Sequence, residues 1–197
     1  MKRVMIFVIL VFLASRCLQA QNPPTTKNVV DYFMMMPASL WDLNSHDYSD
    51  LQKTAMIDEK DIKNGWLKFT GKDTSDMWEG WGEFVLFKKP DKTYMMAVSI
   101  LSCGPECNQT LKFFELNQKS WKDVTSEVFK PVAAKLLSSK YISLAGNDEF
   151  AESPPVIYVL PRYGTEITVV TQEDITGHKF TLATYAYING KFSLKTQ

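Results

Sequence analysis

The feature that most constrains the fold is the stretch TYMMAVSILSCGPECNQTLKFFEL, residues 93–116. Two apolar and β-branched runs face each other across the corner CGPEC at residues 103–107, a pattern that predicts a β-hairpin with its turn between two cysteines. Both alternating faces of residues 94–101 are apolar, which is typical of a strand covered on both sides. We therefore expect this hairpin at the centre of an antiparallel sheet.

The first twenty residues have the organisation of a secretory signal peptide. Lys2 and Arg3 precede an apolar run over residues 4–14, and a polar stretch follows Ala20. The apolar run is shorter than the roughly 20 residues needed to cross a bilayer. We therefore predict a leader at 1–20, cleaved near Ala20, and a flexible lead-in at 21–26. The mature protein is expected to be secreted or periplasmic, with no membrane span.

Charge argues against nucleic acid as a partner. The chain has 22 basic and 22 acidic residues. The leader holds three of the basic residues and no acid, so the mature chain carries a net charge of about −3. Arg162 is then its one arginine. Because nucleic-acid binding normally draws on a clustered, Arg-rich basic face, we exclude this class of partner.

Two cysteines remain after the leader, Cys103 and Cys107. In an oxidising compartment, a disulfide that pins the hairpin turn is the favoured interpretation. A catalytic redox pair is the alternative. Its usual spacing is Cys-x-x-Cys, one residue shorter than here, and no βαβ pattern surrounds the pair.

Helical and strand patterns divide the mature chain into two halves. The first, residues 27–125, predicts a helix that ends before Pro37 and a second short helix from Ser45, with Leu51 and Ala55 turned inward. Antiparallel strands follow it. This half is expected to be a helix-plus-sheet unit.

The second half, residues 126–197, repeats this order. Pro131 suits the first turn of a helix that runs to about Ser139, followed by about four antiparallel strands. The last two strands are joined at Asn189-Gly190, a strong type I′ turn signal. The predicted buried stripe of the helix is Val132, Leu136 and Leu137.

The two halves predict an α+β fold, an antiparallel sheet with helices on one face. FELNQKSW at 114–121 can be aligned with YAYINGKF at 185–192, which places Trp121 on Phe192. This doubled helix-plus-four-strand unit resembles the architecture of secreted β-lactamase inhibitory proteins. It is also similar to uncharacterised exported bacterial proteins whose mature form begins with glutamine. The resemblance is architectural, and it transfers no inhibitory residues.

Motifs for metal or nucleophilic chemistry are missing from the sequence. His46 and His178 lie in separate segments, and neither has a second ligand at metal-binding spacing. The sequence contains no Gly-x-Ser-x-Gly, no Gly-x-x-x-x-Gly-Lys and no His-Glu-x-x-His. We therefore expect no metal, no cofactor and no catalytic residue.

The main candidate binding segment is SDMWEGWGEF, residues 75–84, in which aromatic and acidic residues alternate: Asp76, Trp78, Glu79, Trp81 and Glu83. Aromatic faces stack on sugar rings or on a partner's apolar surface, and carboxylates accept hydrogen bonds from hydroxyls. Paired carboxylates also serve glycoside hydrolysis, which keeps an enzyme open. The alternative is that both tryptophans begin a strand and pack on the core.

Arg162 and Tyr163 complete the set of candidates. Pro161 and Gly164 place Arg162 in a turn, where it either binds a partner's carboxylate or is solvated. Tyr163 joins the tryptophans as a candidate for an exposed aromatic patch. The sequence thus predicts a non-enzymatic binding or inhibitory protein for an envelope or secreted protein. The alternative is a carbohydrate-binding protein or weak glycosidase whose partner is a glycan.

Overall fold

The computed structural model describes residues 27–41, 48–72, 79–103, 107–146, 152–171 and 179–195. Within these ranges the chain forms two antiparallel sheets and four short α-helices. The predicted α+β class and the antiparallel strand order are confirmed. The two predicted halves contribute one sheet each, so they do not share a continuous sheet.

The larger sheet has six strands in chain order, each antiparallel to the next. Its strands are β1 (Ile57–Asp61), β2 (Trp66–Lys72), β3 (Glu79–Lys88), β4 (Tyr94–Cys103), β5 (Cys107–Asn117) and β6 (Ser120–Asp123). The first half therefore has more strands than the expected four. The sequence pattern missed β1, since its residues Ile-Asp-Glu-Lys-Asp lack the apolar alternation of a half-buried strand.

The smaller sheet holds the four strands predicted for the second half, in the order β10-β9-β8-β7. They are β7 (Val156–Val159), β8 (Glu166–Thr171), β9 (Thr181–Ile188) and β10 (Lys191–Leu194). Asn189 and Gly190 join the last two strands with φ angles of 50° and 85°. Two positive φ angles in a two-residue connection confirm the type I′ turn.

The described helices are short. They are α1 (Val29–Met35), α2 (Asp50–Met56), α3 (Thr125–Val128) and α4 (Ala134–Ala145), with a 3₁₀ turn at Ala38–Leu40. Helix α1 ends before Pro37, as predicted, and Asn28 caps its start by accepting hydrogen bonds from the Val30 and Asp31 amides.

The inward face predicted for α2 is wrong. Ser45 lies outside the described residues, and the helix is capped instead by Ser49, which accepts a hydrogen bond from the Gln52 amide. Leu51 points outward and is 82% exposed, and Ala55, one turn later on the same face, is exposed as well. The inward residue is Lys53, whose ammonium donates to the C-terminal backbone carbonyls of α1.

Helix α4 also begins later than predicted. Residues 129–133 are not helical, and Ala133 caps the helix with extended backbone angles. Leu136 is 52% exposed, which corrects the predicted stripe. Leu137 is buried as expected, and its buried companion one turn later is Tyr141.

The six-stranded sheet is the middle layer between two hydrophobic cores. The outer core lies against α1 and the 3₁₀ turn, whereas the inner core lies against the smaller sheet. Strand β4 serves both cores, because Met95 and Ala97 enter the inner one and Met96 and Val98 the outer one. The prediction of a strand covered on both sides is confirmed.

Aromatic rings join the two sheets across the inner core. The ring of Phe87 in β3 lies 5.0 Å from that of Phe192 in β10, and the ring of Phe113 in β5 lies at the same distance from Phe192. Side chains from α3 and α4 complete this core. The fold thereby fixes the smaller sheet, and the turns that follow its strands, relative to the larger one.

Candidate functional site

A segment that begins in β7 and continues past its end crosses the inner face of the larger sheet. Its alternate residues, Tyr158, Leu160 and Arg162, each contact that sheet through side chains of different strands. Alternate residues of an extended chain are about 6.6 Å apart and neighbouring strands about 4.8 Å apart. Two such steps, together with the side chains of Gln109 and Arg162 at the two ends, therefore reach from β5 to the β1–β2 edge. We call residues 158–162 the crossing segment.

The first contact of the crossing segment is with β5. Gln109 Nε2 donates to the Tyr158 carbonyl at 2.9 Å, and the Tyr158 N–H donates to Gln109 Oε1 at 2.6 Å. Ser99, fully buried on β4, accepts a hydrogen bond from Gln109 Nε2 at 2.7 Å. Strand β7 pairs with β8 on one side only, so these side chains satisfy backbone groups on its other side.

The second contact is with β3. The Leu160 N–H donates to Glu83 Oε2 at 3.3 Å. Burial raises the pKa of the Glu83 carboxyl, and the Leu160 N–H and the cations of Lys68 and Lys179 oppose that rise. The nearby Trp66 indole N–H also opposes the rise in the Glu83 pKa. This N–H makes no hydrogen bond of ordinary geometry within the described chain. Glu83 is thus a half-buried carboxylate held between the two sheets.

The third contact is with β1 and β2. Arg162 Nη1 lies 3.0 Å from Glu59 Oε2, and Arg162 Nε lies 3.5 Å from Asp61 Oδ2. The guanidinium carbon lies 4.9 Å from the ring centroid of Trp66, a side chain only 5% exposed. Two carboxylates and a buried indole therefore fix the position of Arg162.

Tyr163 is placed by the same arrangement. Its ring centroid lies 5.8 Å from the Arg162 guanidinium carbon, and its side chain is 71% exposed.

Hydrogen bonds from Asn64, followed by the bond from Arg162, hold the pKa of the Asp61 carboxyl below its usual range. Asp61 therefore remains a charged partner for Arg162 in mildly acidic as well as neutral solution.

Trp81 lies on the same face of the larger sheet. It is half-buried in β3, and Lys68 Nζ lies 5.8 Å from its ring centroid. Lys68 is two residues from Trp66 on β2, so both side chains project from one face. We call five residues the aromatic–basic surface: Trp66, Lys68 and Trp81 on this face of the sheet, Arg162 over Trp66, and Tyr163 beside Arg162.

The predicted site residues are only partly brought together. Arg162 and Tyr163 contact each other, and Trp81 lies on the same face in contact with Lys68. Asp76, Trp78, His46 and His178 lie outside the described residues, and so does the side chain of Glu79.

The two cysteines are paired through their backbones. Cys103 and Cys107 are cross-strand partners at the end of the β4–β5 hairpin. The predicted hairpin, with one cysteine at the end of each strand, is therefore confirmed, and residues 104–106 between them lie outside the described residues. Their side chains lie outside the described part of the chain, and the disulfide stays a prediction.

Sequence reasoning missed four residues of the site, namely Glu59, Asp61, Trp66 and Lys68. Glu59 pairs with Lys68 and Asp61 with Trp66 across the β1–β2 ladder. Recognition of β1 as a strand would have placed the two carboxylates on the face that carries Trp66. The available signal was the spacing of Glu59 and Asp61, which are two residues apart, because alternate residues of a strand project from the same face.

The carboxylates of this region are engaged within the chain. Glu59 and Asp61 bind Arg162, and Glu83 binds the Leu160 amide. Among the described residues, no group of three His, Cys, Asp or Glu side chains is arranged to hold a metal ion. None of the described helices has the length and apolar character needed to cross a membrane. The surface offers aromatic contact and fixed charge.

Comparison with known proteins gives the fold only. No family model matches the chain, and no curated protein sequence matches it at a significant level. A solved domain of an uncharacterized protein from Porphyromonas gingivalis W83 is similar, with a TM-score of 0.55 and 10% sequence identity. The match covers 86% of this chain and 98% of that domain. At this identity the two proteins share an architecture.

Proposed function

We propose that this protein is an exported, non-enzymatic binding or inhibitory protein and that the aromatic–basic surface contacts its partner. One observation carries the proposal. Arg162 is fixed by Glu59, Asp61 and Trp66 directly beside Tyr163, which is 71% exposed. The chain thus presents an exposed aromatic ring on a rigid base.

Rigidity favours binding because ordering a flexible side chain costs about 0.5–1.5 kcal/mol on association. Arg162 has largely met this cost within the folded chain, through two ion pairs and a stacked indole. Tyr, Trp and Arg are also the residue types enriched among the few that dominate binding energy. The surface combines all three types in Tyr163, Trp81 and Arg162.

The leader pattern at residues 1–20 supports export, and it directs the search for a partner to envelope and secreted proteins. A glycan is the alternative ligand for the same surface, since the exposed ring of Tyr163 can stack on a sugar. A glycosidase needs two free carboxyl groups across a cleft. The three carboxylates of this region are instead engaged within the chain, which favours binding over hydrolysis.

The test is affinity capture from the envelope and culture medium of the source cell. The mature protein is compared with the Tyr163→Ala, Trp81→Ala double variant and with a control, Leu51→Ala, which removes an 82% exposed side chain from α2. We expect a partner that is retained by the wild type and by the control and is lost with the double variant. A partner retained equally by all three proteins contradicts the assigned surface. A glycan array with the same proteins tests the alternative.

A further inference from the structure

Strand β5 is longer than the strand that covers its outer side. It spans eleven residues, but β6 pairs only with its last four, residues 114–117. On the other side β4 pairs with residues 107–115 of β5. Residues 107–112 therefore form an outer edge that no strand of the described chain covers.

The direction of the backbone groups along this edge follows from Phe113. Its N–H donates to Thr125 Oγ1 at 2.9 Å, and its carbonyl accepts from the Val124 N–H at 2.9 Å. Both groups thus point outward, away from β4. The β4–β5 register runs without a bulge, so Gln109 and Leu111 also direct their backbone groups outward.

On the side of β5 that faces away from β4, Gln109 and Leu111 have no backbone hydrogen-bond partner among the described residues. Gln109 and Leu111 consequently present two N–H and two C=O groups in the spacing of an antiparallel or parallel ladder. Thr110 and Lys112 direct their backbone groups to β4.

A charged side chain stands beside this edge. Lys112 is half-buried and lies opposite Val98 of β4. No acidic group of the described chain lies within ion-pair distance of its ammonium, although six other described cation–carboxylate contacts involve Lys89, Lys122, Arg162 and Lys195. A strand added at this edge would bring a side chain next to Lys112.

We propose that the free edge of β5 binds an extended peptide segment of a partner protein by strand addition, with an acidic side chain next to Lys112. The backbone groups of Gln109 and Leu111 supply the hydrogen bonds, and Lys112 supplies the charge preference. The length of the free edge sets the length of the ligand at about six residues. This site is separate from the aromatic–basic surface, and it goes beyond the function proposed above.

A peptide suits this edge better than a second copy of the chain. Stable interfaces between folded proteins bury at least about 1,200 Å², whereas the free edge is six residues long because β6 takes over at residue 114. Strand addition needs only main-chain pairing with a short segment.

The first measurement is amide hydrogen exchange of the free protein. The Gln109 and Leu111 amides should exchange much faster than those of Thr110 and Lys112. Slow exchange of Gln109 and Leu111 would overturn the proposal, because another segment or a second copy would then already cover the edge. Dependence of that protection on protein concentration identifies the second copy.

The second measurement uses an immobilised array of random eight-residue peptides. We expect the wild type to select peptides enriched in Asp or Glu, and these peptides should slow exchange at Gln109 and Leu111. Leu111→Pro removes an outward N–H and should abolish the selection, whereas Leu111→Ala, which shortens the same side chain but keeps the N–H, should retain it. Lys112→Glu should weaken binding at least tenfold, and Lys119→Glu, at an exposed turn, should not.

The two proposals fail independently. Tyr163→Ala should bind the selected peptides as the wild type does. Peptide binding that is lost in Tyr163→Ala and kept in Leu111→Pro would overturn the edge site while supporting the aromatic–basic surface. An array without any selected peptide would overturn the edge site and leave the other surface to its own test.

Discussion

The side-chain amide of Gln109 binds both backbone groups of Tyr158, with distances of 2.9 Å to the carbonyl and 2.6 Å to the N–H. It occupies the place that a peptide group of a neighbouring strand would take. A side chain of the larger sheet thus completes the edge strand of the smaller one. Edge strands with unpaired groups invite association with other chains, so this contact both joins the sheets and closes one edge.

Replacement of Gln109 should weaken the joint between the sheets. In Gln109→Ala the Tyr158 N–H and carbonyl lose their partner, and we expect a free energy of unfolding lower by about 2 kcal/mol. Urea unfolding measures the difference. Asn108→Ala, at the exposed neighbouring position, is the control and should change stability little. Equal stability of the two variants would show that the Gln109 amide contributes nothing to the joint.

Glu83 should make stability depend on pH. Burial raises the pKa of its carboxyl above 4.5, so the folded state holds the proton more tightly than the unfolded state. The free energy of unfolding due to this group therefore falls as pH rises from about 4.5 through the raised pKa. Glu83→Gln keeps an oxygen for the Leu160 N–H without the buried charge. At pH 7 the variant should be more stable than the wild type by on the order of 1 kcal/mol.

Thermal unfolding between pH 4 and pH 8 measures this difference. The advantage of Glu83→Gln should vanish at the acidic end, where the wild-type carboxyl is protonated. Glu127→Gln alters a carboxylate in an exposed ion pair, so it is a control expected to show little change. A Glu83→Gln advantage that is the same at every pH would refute the assignment.

Gly82 is required by the ring of Phe69. The two residues are cross-strand partners, and a Cβ at position 82 would overlap that ring and lie 2.8 Å from Ile100 Cδ1. Both neighbours are buried, so Gly82→Ala should destabilise the fold by about 3 kcal/mol. In a Phe69→Leu background the same change should cost clearly less, which a double-mutant cycle measures. Additive effects would contradict the steric explanation.

The cysteine pair gives a prediction from the backbone register. Cys103 is the cross-strand partner of Cys107. Cys107 lies an even number of residues before Phe113 in β5, so its backbone groups also point away from β4, and the two cysteines form a non-hydrogen-bonded pair. The Cα atoms of such a pair are about 4.5 Å apart. That spacing lies within the range of a disulfide. We expect the protein produced in an oxidising compartment to resist thiol alkylation until it is reduced, as measured by mass spectrometry. Alkylation of both residues without reductant would contradict the pairing.

The strands were predictable from sequence where apolar residues alternate or turn residues are distinctive. The double-faced apolar run of β4 and the Asn189-Gly190 turn both led to correct predictions. Strand β1 was not predictable in this way, because pairing with β2 rather than burial of its own side chains makes it a strand.

The helix faces show a second limit of sequence reasoning. Ser45 and Ser49 offer the same capping chemistry, and residues four apart lie on one face of a helix, so the choice of cap does not reveal which face is buried. The buried residue of this helix is Lys53, whose ammonium donates to the carbonyls of Met34 and Met36. Such a contact joins distant parts of the chain, so no local pattern indicates it.

The candidate site was predictable only residue by residue. Arg162 was a candidate because it is the one arginine after the predicted leader, and Tyr163 because it lies beside Arg162 in a predicted turn. Their link to Trp66 depends on how the crossing segment lies over the larger sheet. That arrangement is tertiary and leaves no spacing signal in the sequence.

The most direct test of the central claim is the dissociation constant of the captured partner, measured by titration calorimetry against the wild type, Tyr163→Ala and Leu51→Ala. The account predicts binding at least tenfold weaker for Tyr163→Ala, about 1.4 kcal/mol or more, and unchanged binding for Leu51→Ala. Binding by Tyr163→Ala as tight as by the wild type would contradict the assignment of the aromatic–basic surface as the contact site.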